Sequence, residues 1–295
     1  MDTVLSAAPS AAGAAAVGLL EGDETLAAVE AFLVDHRSRR ATAAETAVNY
    51  GRILRRLARW TDIDELTPAA FYELADRRGW GMATRASYWT AVRAYSSYRL
   101  RAGLAAADPF AEVRSPRFPA PNPKPVSPAQ RELIARVAAR RAAARPSSKP
   151  VDEWVTLAAY AGLRCCEIAR VRGEHLRETG DGWVLDVPHG KGGSCASIPA
   201  HPDVVKVVSR KDRGLLYPGE TAVTVQKAGI RVFNEAGVPG GLHRLRHSYA
   251  TAIYQATGDP FRTQRLCRHR SLNATLAYAA VADRGLHETM AGLYG

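Results

Sequence analysis

The sequence has few lysines, few cysteines and no long apolar run. Of its 40 basic residues only six are lysine, so the basic character comes from arginine, whose planar guanidinium matches a phosphate well. The four cysteines, at 165, 166, 195 and 267, follow neither C-x-x-C spacing nor a disulfide framework, and we interpret them as reduced thiols of a cytoplasmic protein. The lack of any uncharged apolar run of about 18 residues excludes a transmembrane helix. No basic residue precedes Arg37, which excludes a secretory signal peptide.

The net charge of +11 is unevenly distributed over the 295 residues. Residues 1–124 carry 16 basic and 14 acidic groups, whereas residues 125–295 carry 24 and 15. An excess of this size favours an acidic partner. The hydrophobic content of 46% excludes a disordered or collagen-like chain and predicts one large core or two modest ones.

A proline-rich segment divides the chain. Six prolines lie between residues 106 and 126, and no helix or central strand accommodates such a run. We therefore predict a linker at 106–126, a helical domain at 23–105 and a second domain at 127–295. Residues 1–22 are rich in alanine and are expected to form a disordered tail.

The first domain is predicted to be a small four-helix bundle. Tyr50, Ile53, Leu54, Leu57 and Trp60 have the spacing of a core-facing helix, and further helices are expected near 26–33, 64–76 and 86–101. The opposite face of the second helix carries a row of arginines with separations comparable to those of backbone phosphates: Arg52, Arg55, Arg56 and Arg59. A solvated helix face is the alternative interpretation.

The second domain combines helices with a small β-hairpin. Helices are predicted at 127–144, 151–160 and 165–171, and from the hairpin to the C-terminus. Trp183, Leu185 and Val187 alternate with their neighbours as in a strand, and a Gly-Lys-Gly turn leads to a second strand ending at Ile198 and Pro199. The predicted fold class is mainly α with a small β-hairpin or sheet.

Seven polar residues of the second domain form an ordered set: Arg164, Glu167, Lys191, His243, Arg246, His269 and Tyr278. A lone His-x-x-Arg is expected about once by chance in such a chain, and a second match occurs at His36 and Arg39. The sequence around this set resembles the tyrosine recombinases, the family of the phage integrases. The resemblance lies in the segment AGLRCCEIARV, the Gly-Lys-Gly hairpin, the segment LHRLRHSYAT and a Tyr nine residues after His269.

The resemblance extends from about residue 23 to the end and implies a role for each residue. Arg164 and Arg246 match the two catalytic arginines, Glu167 the acidic residue that supports them, and Lys191 the hairpin lysine. His243 matches the histidine of the His-x-x-Arg pair, His269 the position of a His or Trp, and Tyr278 the nucleophile. The family usually has Leu-Gly-His where this chain reads Leu266-Cys267-Arg268-His269, so Arg268 is a departure.

These residue types suit metal-free and ATP-free cleavage of a phosphodiester, and we expect no cofactor. A phenol can become covalently attached to the phosphate, and two guanidinium groups can hold its non-bridging oxygens. Lys191 is the expected general acid, His243 is expected to assist the proton transfer from Tyr278, and His269 to bind a phosphate oxygen. Metal binding by His243, His247 and His269 is disfavoured, because Arg246, Arg268 and Arg270 would repel a cation. Competing tyrosines lie at 249, 254 and 294.

The resemblance implies that the partner is double-stranded DNA carrying core attachment sites. It further implies a helical core-binding (SAM-like) first domain, a homotetramer on two paired sites formed from a monomer in solution, and a directionality or host DNA-bending factor as accessory partner. No arm-binding domain is expected. The 17 residues after Tyr278, with Leu286, Met290 and Leu293 on one helical face, are expected to dock on a neighbouring protomer.

Integration and excision of a phage or other mobile element is the favoured role. The alternatives are an Xer-like or resolvase recombinase, a topoisomerase-like strand relaxer, and a DNA-binding occupancy factor whose chemistry has lapsed. Candidate DNA contacts, expected mainly at phosphates, are Arg52, Arg55, Arg56, Arg59, Arg85, Arg93, Arg210, Lys211, Arg213 and Lys227.

Overall fold

A computed structural model describes residues 11–39, 44–116, 123–144, 148–188, 195–269 and 271–282. The chain divides into two compact units, Met1–Pro119 and Ala120–Gly295, so the boundary lies inside the proline-rich segment. Within the described residues, helices dominate and one small antiparallel sheet accompanies them, which confirms the predicted fold class. None of the helices in these ranges is both long and apolar enough to cross a bilayer.

The first unit contains four helices around one core: α1 (Ala11–Arg39), α2 (Ala44–Leu57), α3 (Pro68–Arg77) and α4 (Met82–Arg101). Ile53, Leu54 and Leu57 of the predicted stripe are buried. They pack with aromatic side chains of α1, α3 and α4 and of the segment after α4, among them Phe32, Phe71, Trp89, Tyr95 and Phe110. The expected bundle is therefore present.

Several element ends differ from the expectation. Helix α1 begins at Ala11, inside the segment expected to be a disordered tail, which is consistent with the high helix propensity of alanine. Helix α2 ends at Leu57, so Trp60 lies in the following turn, where the Arg78 guanidinium stands 4.0 Å from its ring centroid. Helix α3 begins only at Pro68, because Thr67 caps it by accepting a hydrogen bond from the amide of Ala70.

The second unit is mostly helical. Its helices are α5 (Pro128–Ala143), α6 (Val151–Tyr160), α7 (Cys165–Ile168), α8 (Pro202–Val208), α9 (Ala222–Glu235), α10 (His243–Thr257), α11 (Pro260–Cys267) and α12 (Leu272–Ala282). Ser127 and Gln130 form a capping box that starts α5 next to Pro128. The main core includes Trp154, Leu157, Val232, Phe233 and Leu245. Helix α6 lies in this core. The segment that follows α6 and helix α10 itself carry residues of the site described below.

The sheet has three strands in the order β1 (Leu176–Thr179), β2 (Gly182–Pro188) and β3 (Cys195–Pro199). The predicted hairpin corresponds to β2 and β3, which pair Leu185 with Ile198. Leu185 and Val187 are buried as the alternation predicts, but Trp183 is 39% exposed. Strand β1 was not predicted, since this four-residue edge strand has no apolar alternation. The turn with Lys191 lies outside the described residues.

Candidate active site

A buried carboxylate with three arginines around it forms one half of the site. Glu167 Oε1 lies 2.7 Å from Arg164 Nη1. Its Oε2 lies 3.0 Å from Arg268 Nη2 and 3.8 Å from Arg246 Nη1. The Arg164 side chain is 38% exposed, whereas those of Arg246 and Arg268 are almost completely buried. Arg164 is therefore the member of this group that solvent, or a bound anion, reaches most easily.

The Arg-x-x-Glu spacing places these groups at the start of a short helix. Arg164 is the N-cap of α7 and Glu167 its third residue, so Glu167 Oε2 accepts a hydrogen bond from the Arg164 amide at 2.8 Å. The turn before it depends on Gly162, which has a φ of +57°. The carbonyl of Gly162 accepts hydrogen bonds from both Arg246 and Arg268.

Helix α10 contributes three side chains one turn apart. His243, Arg246 and His247 have i, i+3 and i+4 spacing, which puts them on one face of the helix. The Arg246 guanidinium also donates to the carbonyl of Cys267. The rings of His243 and His247 meet edge to face with centroids 4.5 Å apart.

The tyrosine proposed as nucleophile lies against two histidines. The Tyr278 hydroxyl is 2.7 Å from Nδ1 of His247, and its ring is stacked on His269 with centroids 5.6 Å apart and 10° between the planes. His269 Nδ1 lies 2.9 Å from the hydroxyl of Thr275, one turn before Tyr278 on α12. Tyr278 is only 4% exposed. His269 therefore contacts one face of the phenol ring, and His247 contacts its hydroxyl.

Burial and the arginines shift the pKa values of the site in different directions. Burial raises the pKa of Tyr278 to about 12, and the nearby Arg246 and Arg164 oppose that rise. Burial also raises the pKa of Glu167, but Arg268, the Arg164 amide and the other two guanidinium groups outweigh it and hold the pKa below its ordinary value. Glu167 is therefore ionised at neutral pH.

The histidines are neutral at pH 7. Burial, followed by the positive charge of Arg246, lowers the pKa of His269 to about 4. Burial and the neighbouring His243 do the same for His247, whose pKa is also about 4. The pKa of His243 is lowered by partial desolvation and by Arg246 and Arg164. Arg246 keeps its charge, because desolvation lowers its pKa only to about 10.

Arg268 is part of the site although the sequence marked it as a departure. It is the C-cap of α11 in the left-handed conformation, with a φ of 55°, a position that favours glycine. Its guanidinium donates to the carbonyls of Ala161, Gly162 and Leu266 as well as to Glu167. The backbone geometry therefore suits a glycine, while the side chain fills a buried polar position beside Glu167.

Six of the seven residues predicted from the sequence come together here: Arg164, Glu167, His243, Arg246, His269 and Tyr278. Lys191 lies outside the described residues. Sequence reasoning missed the contacts of His247, Arg268 and Thr275. His247 had a signal, since it follows His243 at i+4, but its tyrosine partner is 31 residues away.

The residues predicted to contact DNA fall into two groups. In the first unit Arg52, Arg55, Arg56 and Arg59 are exposed, but Arg59 lies in the turn after α2, so the expected row on this helix ends at Arg56. Arg52 donates to Asn49, and Arg55 forms an ion pair with Glu30 at 2.5 Å. Other residues already have partners within their own unit, as the following contacts show. Arg85 bonds to Asp76, Arg93 to Ser115 and the Ala111 carbonyl, Arg210 to Glu153, and Lys211 to the Leu215 carbonyl. Arg213 and Lys227 are exposed.

The described residues contain no group of three or more His, Cys, Asp or Glu side chains arranged to hold a metal ion. The positive charge of the site lies instead in its arginines. The arrangement therefore offers a buried phenol, neutral histidines and fixed guanidinium groups, which together suit chemistry at an anionic group such as a phosphodiester.

Comparison with known proteins shows which proteins the chain is similar to in sequence. No protein-family model matches the chain. Tyrosine recombinase XerC of Xanthomonas campestris pv. campestris is 26% identical over 283 residues, which cover 87% of this chain and 84% of the relative. XerC of Mesorhizobium japonicum is 29% identical over 247 residues, with 77% and 78% covered, and XerC of Salmonella typhi is 27% identical over 239 residues, with 75% and 77% covered.

Solved structures share the fold. The XerH site-specific recombinase bound to palindromic difH substrate has a TM-score of 0.64 at 17% identity, covering 85% of this chain and 80% of XerH. The Tn1549 transposon integrase in complex with transposon right-end DNA has a TM-score of 0.61 at 18% identity, covering 90% and 99%. The fold is that of recombinases and integrases. In sequence, the chain is similar to tyrosine recombinases named XerC.

Proposed function

We propose that the protein is a site-specific DNA recombinase that cleaves and rejoins strands through a covalent tyrosine intermediate, with Tyr278 as the nucleophile. The observation that carries this proposal is the position of the Tyr278 hydroxyl, in hydrogen-bond contact with one neutral histidine while its ring stacks on another. Arg246 and Arg164 lie near this cluster, where their charge opposes the rise in the pKa of Tyr278.

The chemistry follows from these groups. Tyr278 Oη attacks the phosphorus, the bond to the 5′-oxygen breaks, and the DNA 3′-phosphate becomes attached to the tyrosine. Arg164 and Arg246 offset the charge that develops on the non-bridging oxygens, and His269 donates a hydrogen bond to one of them. Lys191 protonates the leaving 5′-oxygen, and His243 belongs to the route by which the tyrosine proton leaves. Glu167 orients the arginines.

The phosphotyrosine bond conserves the energy of the phosphodiester, so strands are rejoined without ATP through a Holliday junction. The role we favour is integration and excision of a phage or other mobile element by a homotetramer on two paired DNA sites in a bacterial cytoplasm. The basic charge excess and the exposed arginines of α2 and of the turn after it support binding to the DNA backbone.

A trapping experiment tests the proposal. A core duplex is first selected by binding from a random-sequence pool, then nicked so that the cleaved strand cannot be rejoined, and incubated with the full chain without metal or ATP. We expect a covalent adduct at the DNA 3′-phosphate that Tyr278→Phe abolishes. Tyr249→Phe is the matched control, because Tyr249 is a second partly buried tyrosine packed against the same small cluster.

The other outcomes separate the alternatives. Selective DNA binding without any adduct would favour the occupancy factor, and an adduct that survives Tyr278→Phe would refute the choice of nucleophile. Relaxation of supercoiled DNA without exchange between two duplexes would favour the strand relaxer.

A further inference from the structure

One close contact of the nucleophile involves a residue to which the roles above assign nothing. His247 Nδ1 is the hydrogen-bond partner of the Tyr278 hydroxyl at 2.7 Å, while the His243 ring meets the His247 ring edge to face with centroids 4.5 Å apart. We propose that His247 is a catalytic residue that accepts the proton of Tyr278 as the tyrosine attacks the phosphorus. This inference rests on the proposed function, because it assumes that Tyr278 is the nucleophile.

The geometry around the ring directs the hydroxyl to His247. The flat stacking of His269 against the Tyr278 ring limits its tilt, and the two centroids are 5.6 Å apart. His247 contacts the same ring at 5.7 Å with a 44° angle, so its Nδ1 lies near the phenol oxygen rather than over the ring face. A distance of 2.7 Å is within the reach required of a general base.

The charged groups around His247 keep a lone pair available. Burial is the largest effect that disfavours its protonated form, and His243, Arg246 and Arg244 act in the same direction, so the imidazole is neutral at pH 7. With the proton of the ring on Nε2, Nδ1 accepts from the tyrosine. A bound phosphodiester adds negative charge next to this ring, which raises its pKa and makes it a better base once the DNA is in place.

The step balances as follows. The O–H bond of Tyr278 breaks, its proton moves to His247 Nδ1, and an oxygen electron pair forms the new O–P bond. The P–O5′ electron pair leaves with the 5′-oxygen, which takes its proton from the general acid. In the rejoining step a 5′-hydroxyl attacks the phosphorus and its proton returns to the deprotonated general acid. The Tyr278–phosphorus bond breaks, and the imidazolium of His247 returns its proton to the phenol oxygen.

Two substitutions separate proton transfer from positioning. His247→Asn keeps a hydrogen-bond acceptor near the place of Nδ1 but cannot take up a proton, whereas His247→Ala removes both properties. On the selected, nicked duplex we expect either variant to form the adduct about 100-fold more slowly in a single turnover, with DNA binding unchanged. His201→Asn is the control, because His201 caps α8 through its Nδ1, as asparagine can, and its ring stacks on Tyr160 rather than on a residue of the site.

A more acidic phenol provides the decisive readout. When 2,3-difluorotyrosine replaces Tyr278, less help is needed to remove its proton, so the rate of His247→Asn should recover by at least tenfold while wild type changes little. The rate of His247→Asn with the natural tyrosine should also rise with pH. A rate for His247→Asn within threefold of wild type at every pH overturns the inference, as does a slow rate that neither fluorination nor pH improves.

The same experiment distinguishes a failure of this inference from a failure of the proposed function. If wild type forms no adduct, or if the adduct survives Tyr278→Phe, the proposed function fails and the inference fails with it. If wild type forms a Tyr278-dependent adduct and only the His247 results disagree, the function stands and the inference alone is wrong.

Discussion

Replacing Arg268 by glycine tests how much the buried charge cluster contributes to the second unit. The side chain of Arg268 is completely buried, and its Nη2 lies 3.0 Å from Glu167, which is itself 7% exposed. It also donates to three main-chain carbonyls. The substitution leaves Glu167 buried with Arg164 and, at 3.8 Å, Arg246 as its remaining charged partners.

Two opposing effects set the magnitude. Removing one partner of a buried ion pair costs about 3–5 kcal/mol. Glycine returns about 1 kcal/mol, because the backbone at this position has a φ of 55° and glycine adopts that conformation without strain. We expect Arg268→Gly to lower the free energy of unfolding of the second unit by about 2–4 kcal/mol. Arg268→Ala should cost about 1 kcal/mol more, because alanine keeps the strain.

Urea unfolding of the full chain, monitored by hydrogen exchange of the amides in helix α6, measures the free energy of unfolding of the second unit separately. Arg262→Ala is the matched control: its ion pair with Asp259 on the same helix is 3.3 Å long but largely exposed, so we expect a loss below about 1 kcal/mol. A double-mutant cycle between Arg268 and Glu167 should give a coupling energy of at least about 1 kcal/mol. A loss for Arg268→Gly no larger than that of the control, with no coupling, would refute the reasoning.

Three further predictions concern the DNA surface, the central turn and pH. Arg59→Ala should weaken DNA binding on all sequences and reduce the slope of log affinity against log salt concentration by about one. Arg55→Ala should weaken binding less, because Arg55 already pairs with Glu30. Filter binding across salt concentrations measures both variants, and equal effects would contradict the assignment. Gly162→Ala should destabilise the second unit by at least about 2 kcal/mol, since the φ is +57° and the new Cβ would lie 2.4 Å from the ring of Tyr249. A thermal melt unchanged from wild type would be inconsistent with this. His247 and His269 have pKa values of about 4 in the folded protein and 6.5 in the unfolded chain. As the pH falls, the unfolded chain therefore takes up protons before the folded protein does. The contribution of the two histidines to stability is full above pH 6.5 and is lost as the pH falls towards 4. Substituting both by asparagine should flatten urea midpoints between pH 6.5 and 4, and an unchanged slope would refute these pKa shifts.

The elements that local sequence predicted well are those with strong periodicity. The stripe Ile53, Leu54 and Leu57 identified α2, and the start of α5 follows from the Ser127 capping box and the proline after it. Strand β1 escaped prediction because its four residues carry no alternation, and its pairing with β2 depends on a neighbour rather than on its own sequence.

The candidate site was predictable as a set of residues through the family resemblance, but not as a set of contacts. Arg164 and Glu167 are three apart, so their pairing at a helix start can be expected from spacing. The bond between Arg268 and Glu167 joins residues 101 apart, and no local pattern indicates it. The sequence therefore shows Arg268 only as a departure from the family motif, whereas the structure shows it buried against Glu167.

The sequence by itself determined the resemblance to tyrosine recombinases, the mainly helical architecture and the identities of six polar residues that cluster in the structure, because these follow from ordered motifs and periodicity. The tertiary structure alone decided that His247 lies on the tyrosine hydroxyl and that Arg268 completes the surroundings of Glu167. The physical reason is that both contacts join elements far apart in the chain: α10 with α12 for His247 and Tyr278, and α7 with the end of α11 for Glu167 and Arg268. Their distances depend on how these elements pack rather than on the local chain.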